Sequence, residues 1–421
     1  MSSDRPEVWT HRAALLIQQG RFDEAERAYF DALRDDPEDP TLLHMLAFCQ
    51  YRQAGSETRA LETIGRAIAL EPESADHHAL RSNVLAELRK LPEALDAADE
   101  SIRLDPEITD GHIARGWVRY RQQRWADAEA SARAALEIDP DDAQATFLLA
   151  EALRLQGRES ENRGAVGVML GRDPLDPAAH ISAGWSALQS GDRDAAERHF
   201  LEALRIDPRL DAAREGLLEA FKSRAPWYRA WLRLNLWAAR FSSANRWLII
   251  IGLFVLVRFS RSVLRGPWAP LGALITVLWF GLVLWAHLAS GTANAIVMLD
   301  SRARHALRSR ERLEAIAVGG GVFGGLLLLL LGVALPPLRP LGMGLFGAAI
   351  AFAHTFTNDA RAGAVIFGAV GVLALVAGIA GALALASPGS VSPGLAGGLA
   401  SAAFLAVMLT TWLVNVPALK R

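Results

Sequence analysis

Six prolines constrain this chain more than any other feature. They stand at Pro37, Pro72, Pro106, Pro140, Pro174 and Pro208, so the gaps are 35, 34, 34, 34 and 34 residues. Each follows an acid and closes an Ala- or Leu-rich segment of helical periodicity, as in "AIALEPESAD" and "SIRLDPEITD". Proline has no N–H to donate and its ring clashes with the preceding turn, so it ends the helix and starts the turn into the next. A fixed period near 34 is the sequence sign of stacked helix-turn-helix units.

Within each period small and large residues recur. The first unit carries Trp9, Ala13, Leu16, Gly20, Phe22, Ala25, Tyr29, Ala32 and Pro37; the fourth Gly116, Trp125, Ala128, Ala135 and Pro140; the sixth Gly184, Gly191, Ala196, Phe200, Ala203 and Pro208. Small residues at Ala25, Ala60, Ala94 and Ala128 let paired helices approach. The second unit has one extra residue near Gly55, and the fifth has Asn162 where alanine is expected. This pattern resembles the tetratricopeptide family over roughly residues 7–208. The resemblance implies a superhelix of six helix-turn-helix repeats. "RLDAAREGLLEAFKSR" after Pro208 reads as the helix that caps the last exposed face.

Charge divides the chain. Residues 1–224 hold 28 Lys+Arg and 42 Asp+Glu; residues 225–421 hold 16 and 4. The acidic first half argues against nucleic acid, which calls for a basic stripe. These acids suit the solvated faces of a helical array. The single cysteine, Cys49, excludes an intrachain disulfide or zinc cluster and reads as a small buried hydrophobe. "MSSDRPEVWT" has no basic start followed by an apolar run, so no signal peptide is expected.

From about Trp247 long apolar runs appear, at 247–264, 268–290, 315–335, 340–357, 363–386 and 394–416. A membrane helix needs about 20 mainly apolar residues. The first run is short, interrupted by Arg258, Ser260 and Arg261. "DSRARHALRSRER" carries five arginines and is placed in the cytoplasm. With the array also inside, an even number of crossings separates the two, which favours 247–264 as a crossing. Six crossings then return the C-terminus to the cytoplasm. Dense Gly and Ala suit close packing of membrane helices and a homo-oligomer. The expected organisation is an array at 1–224, a connector at 225–246 and a membrane bundle at 247–421, in a bacterial inner membrane.

The connector, "PWYRAWLRLNLWAARFSSANRW", mixes Trp227, Trp231 and Trp237 with Arg229, Arg233 and Arg240. Such a helix suits the headgroup layer of a bilayer. Packing against the array is the alternative. The whole arrangement also resembles bacterial tetratricopeptide proteins that carry a C-terminal polytopic membrane region and have no settled activity.

No phosphate loop, zinc-protease motif or Cys-x-x-Cys occurs, so neither catalysis nor a cofactor is expected. The histidines of "HHAL" and "HIARGW" read as polar residues on repeat helices. In the apolar half the polar candidates are His287, His354, Asp359, Asn294 and Asn415. The family pattern turns helix A residues toward the concave face. Mapped here, these are Phe48, Tyr51 and Arg52; Asn83 and Glu87; Trp117, Tyr120 and Arg121; Phe147, Glu151 and Arg154; and Trp185. Trp, Tyr and Arg dominate binding hot spots. The competing reading is that the aromatics pack between helices. Only Asn83 fits the Lys/Asn clamp that some family members use for a chaperone's C-terminal carboxylates, so that partner is not expected. The function expected is an adaptor holding a protein partner at the membrane. A transporter or membrane enzyme regulated by the repeats is the alternative.

Overall fold

The computed structural model describes residues 5–238, 240, 269–300, 307–358, 360–387 and 392–413, with 252, 255, 257 and 259 singly. The run 247–264 therefore lies, apart from those four, outside the described residues, as do Asp359 and Asn415. Helices make up the structure, and no strand occurs among the described residues. Two compact units divide the chain. One comprises residues 1–190, 202–208 and 237–245, the other 191–201, 209–236 and 246–421.

The repeat helices are α1 (Arg5–Gln18), α2 (Phe22–Ala32), α3 (Pro40–Tyr51), α4 (Glu57–Leu70), α5 (Ala75–Glu87), α6 (Leu91–Leu104), α7 (Thr109–Arg121), α8 (Trp125–Ile138), α9 (Ala143–Gln156), α10 (Glu159–Arg172), α11 (Pro177–Ser190) and α12 (Arg193–Ile206). The acid before each proline has a local task. Asp105, Asp139 and Asp173 each accept, through Oδ1, the N–H two residues on, at 3.0, 2.9 and 2.8 Å. The carboxylate thus closes an Asx turn across the proline. The proline carbonyl is met from the next helix: His78, His112 and His180, spaced by multiples of 34, bond Pro72, Pro106 and Pro174 at 2.9, 3.1 and 3.1 Å. These three histidines serve the turns.

Inside each repeat the turn takes a left-handed residue: Gly20, Gly55, Arg89, Gln123, Gly157 and Gly191, with φ between 59 and 87°. Glycine takes this region freely, and other residues do so only at a cost. Ala25, Ala60, Ala94 and Ala128 are fully buried, as the pattern requires. Asn162 is buried at the same position because its Nδ2 donates to the Ala150 carbonyl at 2.8 Å. Cys49 is buried in the apolar cluster of Ala28, Tyr29, Leu42 and Leu46.

The second unit holds α13 (Asp211–Lys222), most of α14 (Pro226–Ala238), α15 (Ala269–Leu299), α16 (Ser309–Leu331), α17 (Leu338–Thr357), α18 (Arg361–Ala386) and α19 (Pro393–Leu413). A π turn, Ala315–Gly319, interrupts α16. Among the described residues, only α16 and α18 are long and apolar enough to cross a membrane, by length and composition; Leu284–Leu299 and Gly398–Thr410 are shorter apolar stretches. The sequence predicts six crossings. In α17 the Arg339, Pro340 and His354 side chains dilute the apolar run. The run expected to end at 290 continues as helix to Leu299, so His287 lies inside α15. Gly342 lies against the Gly325 carbonyl and Gly344 against the backbone of Gly378. Here a methyl group would keep the helices apart, so these glycines serve packing within the chain.

The composition break at 224 and the packing break differ for a physical reason. Arg214 of α13 pairs with Glu311 at 3.2 Å, Arg308 pairs with Asp211, and Arg224 pairs with Asp300 at 2.7 Å. The helix read as the array's cap is thus ion-paired to the C-terminal helices.

Candidate functional site

The residues expected to line the groove lie on, or directly after, the first helix of each repeat: α3, α5, α7, α9 and α11. Phe48 and Tyr51 of α3 are half-buried, and Arg52 after them is exposed with its guanidinium over the Phe22 ring at 4.8 Å. Asn83 is half-buried and Glu87 exposed on α5. The densest cluster spans α7 to α9. The Trp117 ring lies 5.3 Å from Tyr120 and 5.7 Å from Phe147, and Tyr120 lies 5.1 Å from Trp125. Edge-on and tilted stacking of this kind adds to area burial and fixes ring orientation. Trp185 is half-buried on α11.

The arginines differ from the sequence expectation. Arg121 is exposed but pairs with Glu87, and its Nη1 donates to the Ala86 carbonyl at 3.3 Å. Arg154 is largely buried, donating to both oxygens of Glu151 at 3.2 and 2.6 Å. Tyr120 Oη donates to the same carboxylate at 3.3 Å, and Ser182 Oγ at 3.4 Å. Burial and the Glu151 charge push the Tyr120 phenol up to about 12. Arg154 is therefore committed to Glu151 and offers no free cation. The exposed cations of the set are Arg52 and Arg121.

A second pair had no sequence signal beyond its 33-residue spacing. His44 Nδ1 and His77 Nδ1 lie 3.1 Å apart. Burial, then the neighbouring His77, lowers His44 to about 4. The pair is neutral at neutral pH, one ring donating to the other.

In the connector, Tyr228 is buried and donates to Glu219 Oε2 at 2.8 Å, and Trp227 meets Trp285 edge-on at 4.8 Å. Trp231 is half-buried and Trp237 exposed; Arg229 is half-buried, its Nε enclosed without a partner. Arg233 lies against the Gly191 turn. Arg240 lies against the Gly157 turn, and its carbonyl accepts from Trp125 Nε1 at 3.1 Å. These two arginines, seven residues apart, meet repeat turns 34 residues apart.

Among the polar candidates of the apolar half, the His287 ring lies 4.8 Å from His354, and Asn294 donates to Glu314 Oε2 at 3.0 Å. Nothing in the sequence marks Glu314, because it follows a run of charged residues and looks like one more surface acid. No cluster of three or more metal-ligating side chains occurs among the described residues.

The twelve paired helices define a helical-repeat fold. Tetratricopeptide-repeat profiles match residues 6–49, 45–107, 113–177 and 177–202. The N-terminal half of this chain belongs to the tetratricopeptide-repeat family. Solved structures are similar to about half of this chain. PilW, described as a widely conserved type IV pilus biogenesis factor, is 19% identical, with 50% of this chain and 98% of that chain covered and a TM-score of 0.42. Pseudomonas aeruginosa pilF is 18% identical, covering 51% and 96%, with a TM-score of 0.39. YrrB, described as a tetratricopeptide protein with an unusual peptide-binding site, is 22% identical, covering 45% and 96%, with a TM-score of 0.32. A search of curated proteins found no match.

Proposed function

We propose that this chain is a membrane-anchored adaptor or assembly scaffold whose repeat groove binds a peptide or helix of a protein partner. Tetratricopeptide arrays mediate protein–protein interactions. The observation that carries the reading is the set of half-buried rings on α3, α7, α9 and α11, Phe48, Tyr51, Trp117, Tyr120, Phe147 and Trp185. Such rings present rigid apolar area at low entropic cost. Arg52 and Arg121 lie within the same set and suit acidic groups on the ligand; an incoming carboxylate replaces Glu87 on Arg121.

Anchoring rests on a separate observation. α16, α18 and α19 leave large apolar side chains exposed, among them Leu330, Val365, Val372 and Phe404. An apolar surface of this extent suits lipid. The arginine-rich 300–312 stretch favours its placement, with the array, on the cytoplasmic side of an inner membrane. Attachment raises the partner's local concentration, so modest affinity suffices.

The test compares partners co-purified in mild detergent by wild type and by Trp117→Ala/Arg121→Ala/Trp185→Ala, with helicity as the folding control. Partners retained by wild type and lost from the folded variant support the groove. Identical partner sets reject it.

A further inference from the structure

Glu314 is 4% exposed and sits on α16 directly before the π turn. π turns inside α-helices recur at functional sites. Asn294 of α15 is 1% exposed and donates Nδ2 to Glu314 Oε2 at 3.0 Å. Its Oδ1 is enclosed and has no hydrogen-bond partner. An orphaned buried acceptor is costly, and an apolar pair would avoid that cost. The neighbouring Thr292 does not relieve it, since its hydroxyl donates to Leu288 and Ala289 carbonyls of its own helix.

The charged and titratable groups around Glu314 come from every side. Glu311 of the same helix is paired to Arg214 of α13. Lys222 of α13 interacts electrostatically with Glu314 while bonding Glu219 at 2.9 Å. Tyr228 of α14 interacts with Glu314 and donates to Glu219. The titratable groups of α15 and α17, His287 and His354, pack their rings on each other.

We propose that Glu314 and Asn294 form a proton-binding site. An asparagine amide presents a donor on one side and an acceptor on the other. With Glu314 ionised, Nδ2 donates to the carboxylate. When water delivers a proton, an O–H bond forms on Glu314 and one breaks on hydronium. The amide then turns over, and Oδ1 accepts from the new hydroxyl. Each state keeps one hydrogen bond and leaves one amide atom unpaired, so Asn294 serves both forms equally. A buried carboxyl with such a partner inside an apolar helix bundle handles protons rather than adding stability.

The test uses the full-length protein in detergent, with infrared difference spectra between acidic and neutral pH and parallel measurement of proton uptake. Expected is a protonated-carboxyl band that appears on acidification and shifts to lower frequency when the acidification is carried out in deuterium oxide. It disappears in Glu314→Gln, where uptake falls by about one proton per chain, and shifts in frequency in Asn294→Leu. A wild-type protein without such a band overturns the proposal whatever the variants do. A band that persists unchanged in Glu314→Gln overturns it too. So does a band that responds to sodium at fixed pH without proton uptake, since the ligand would then be a metal cation.

Discussion

Cys49 shows how burial decides chemistry at a single residue. Enclosure by Ala28, Tyr29 and Leu46, with the Glu26 charge second, pushes its thiol up to about 12. The thiolate is the reactive form, so native protein in mildly alkaline buffer should react with a disulfide reagent only at the rate of local opening. Addition of guanidinium should release the one thiol of each chain at once. Rapid labelling of native protein would contradict the burial. Gly116 makes a different point. A Cβ there would collide with the Leu148 side chain and lie 3.2 Å from Ser131. Gly116→Ala should therefore destabilise by about 1–3 kcal/mol, read as a fall in thermal midpoint. Both residues were legible in the sequence, because the repeat pattern fixes which positions are small. Glu314 was not, since nothing local distinguishes a buried acid from an exposed one when both follow arginines.

At the scale of elements, the turns carry much of the specification. The acid-proline pairs announce where helices stop; how the acid holds the turn, as an Asx bond across the proline, depends on backbone direction that sequence leaves open. Gly157 combines a left-handed φ of 74° with close approach of Arg240. Gly157→Ala should cost about 1–2 kcal/mol from the backbone alone. It should also displace Arg240, seen as faster proteolysis of the connector; unchanged proteolysis would separate the two effects. The His44–His77 pair, between α3 and α5, makes the array acid-sensitive. His44 is lowered from 6.5 to about 4, so the folded chain binds fewer protons than the unfolded chain between those values. The associated stability is complete above the unfolded value of 6.5 and is lost as pH falls toward 4, by about 3 kcal/mol at most. His44→Phe should flatten this part of the stability–pH curve. An unchanged curve would show that His44 titrates normally.

For the whole molecule, the period of 34 makes the array readable from the residues alone, because each repeat must bury its face on the next. The same register brings Trp117, Tyr120 and Phe147 into ring contact. The roles of the arginines do not follow, since the pairing of Arg121 with Glu87 reaches across repeats and that of Arg154 with Glu151 is decided by rotamers. The C-terminal half is legible as apolar helix but not in its limits: α15 runs on through "SGTANAIVML", where Thr292 bonds its own helix and Asn294 donates to Glu314. Nor does composition reveal that α13, read as a cap, is bound by Arg214 to Glu311, or that Arg224 just beyond it holds Asp300.

The central claim is that the groove, and not the outer surface, holds a protein partner at the membrane. The most direct measurement places a photo-crosslinking amino acid at position 185 of α11 and, separately, at the exposed position 168 of α10, in native membranes. The account predicts a discrete protein adduct from position 185 and none from position 168. Equal adducts from both, or none from position 185 in folded protein, would contradict it.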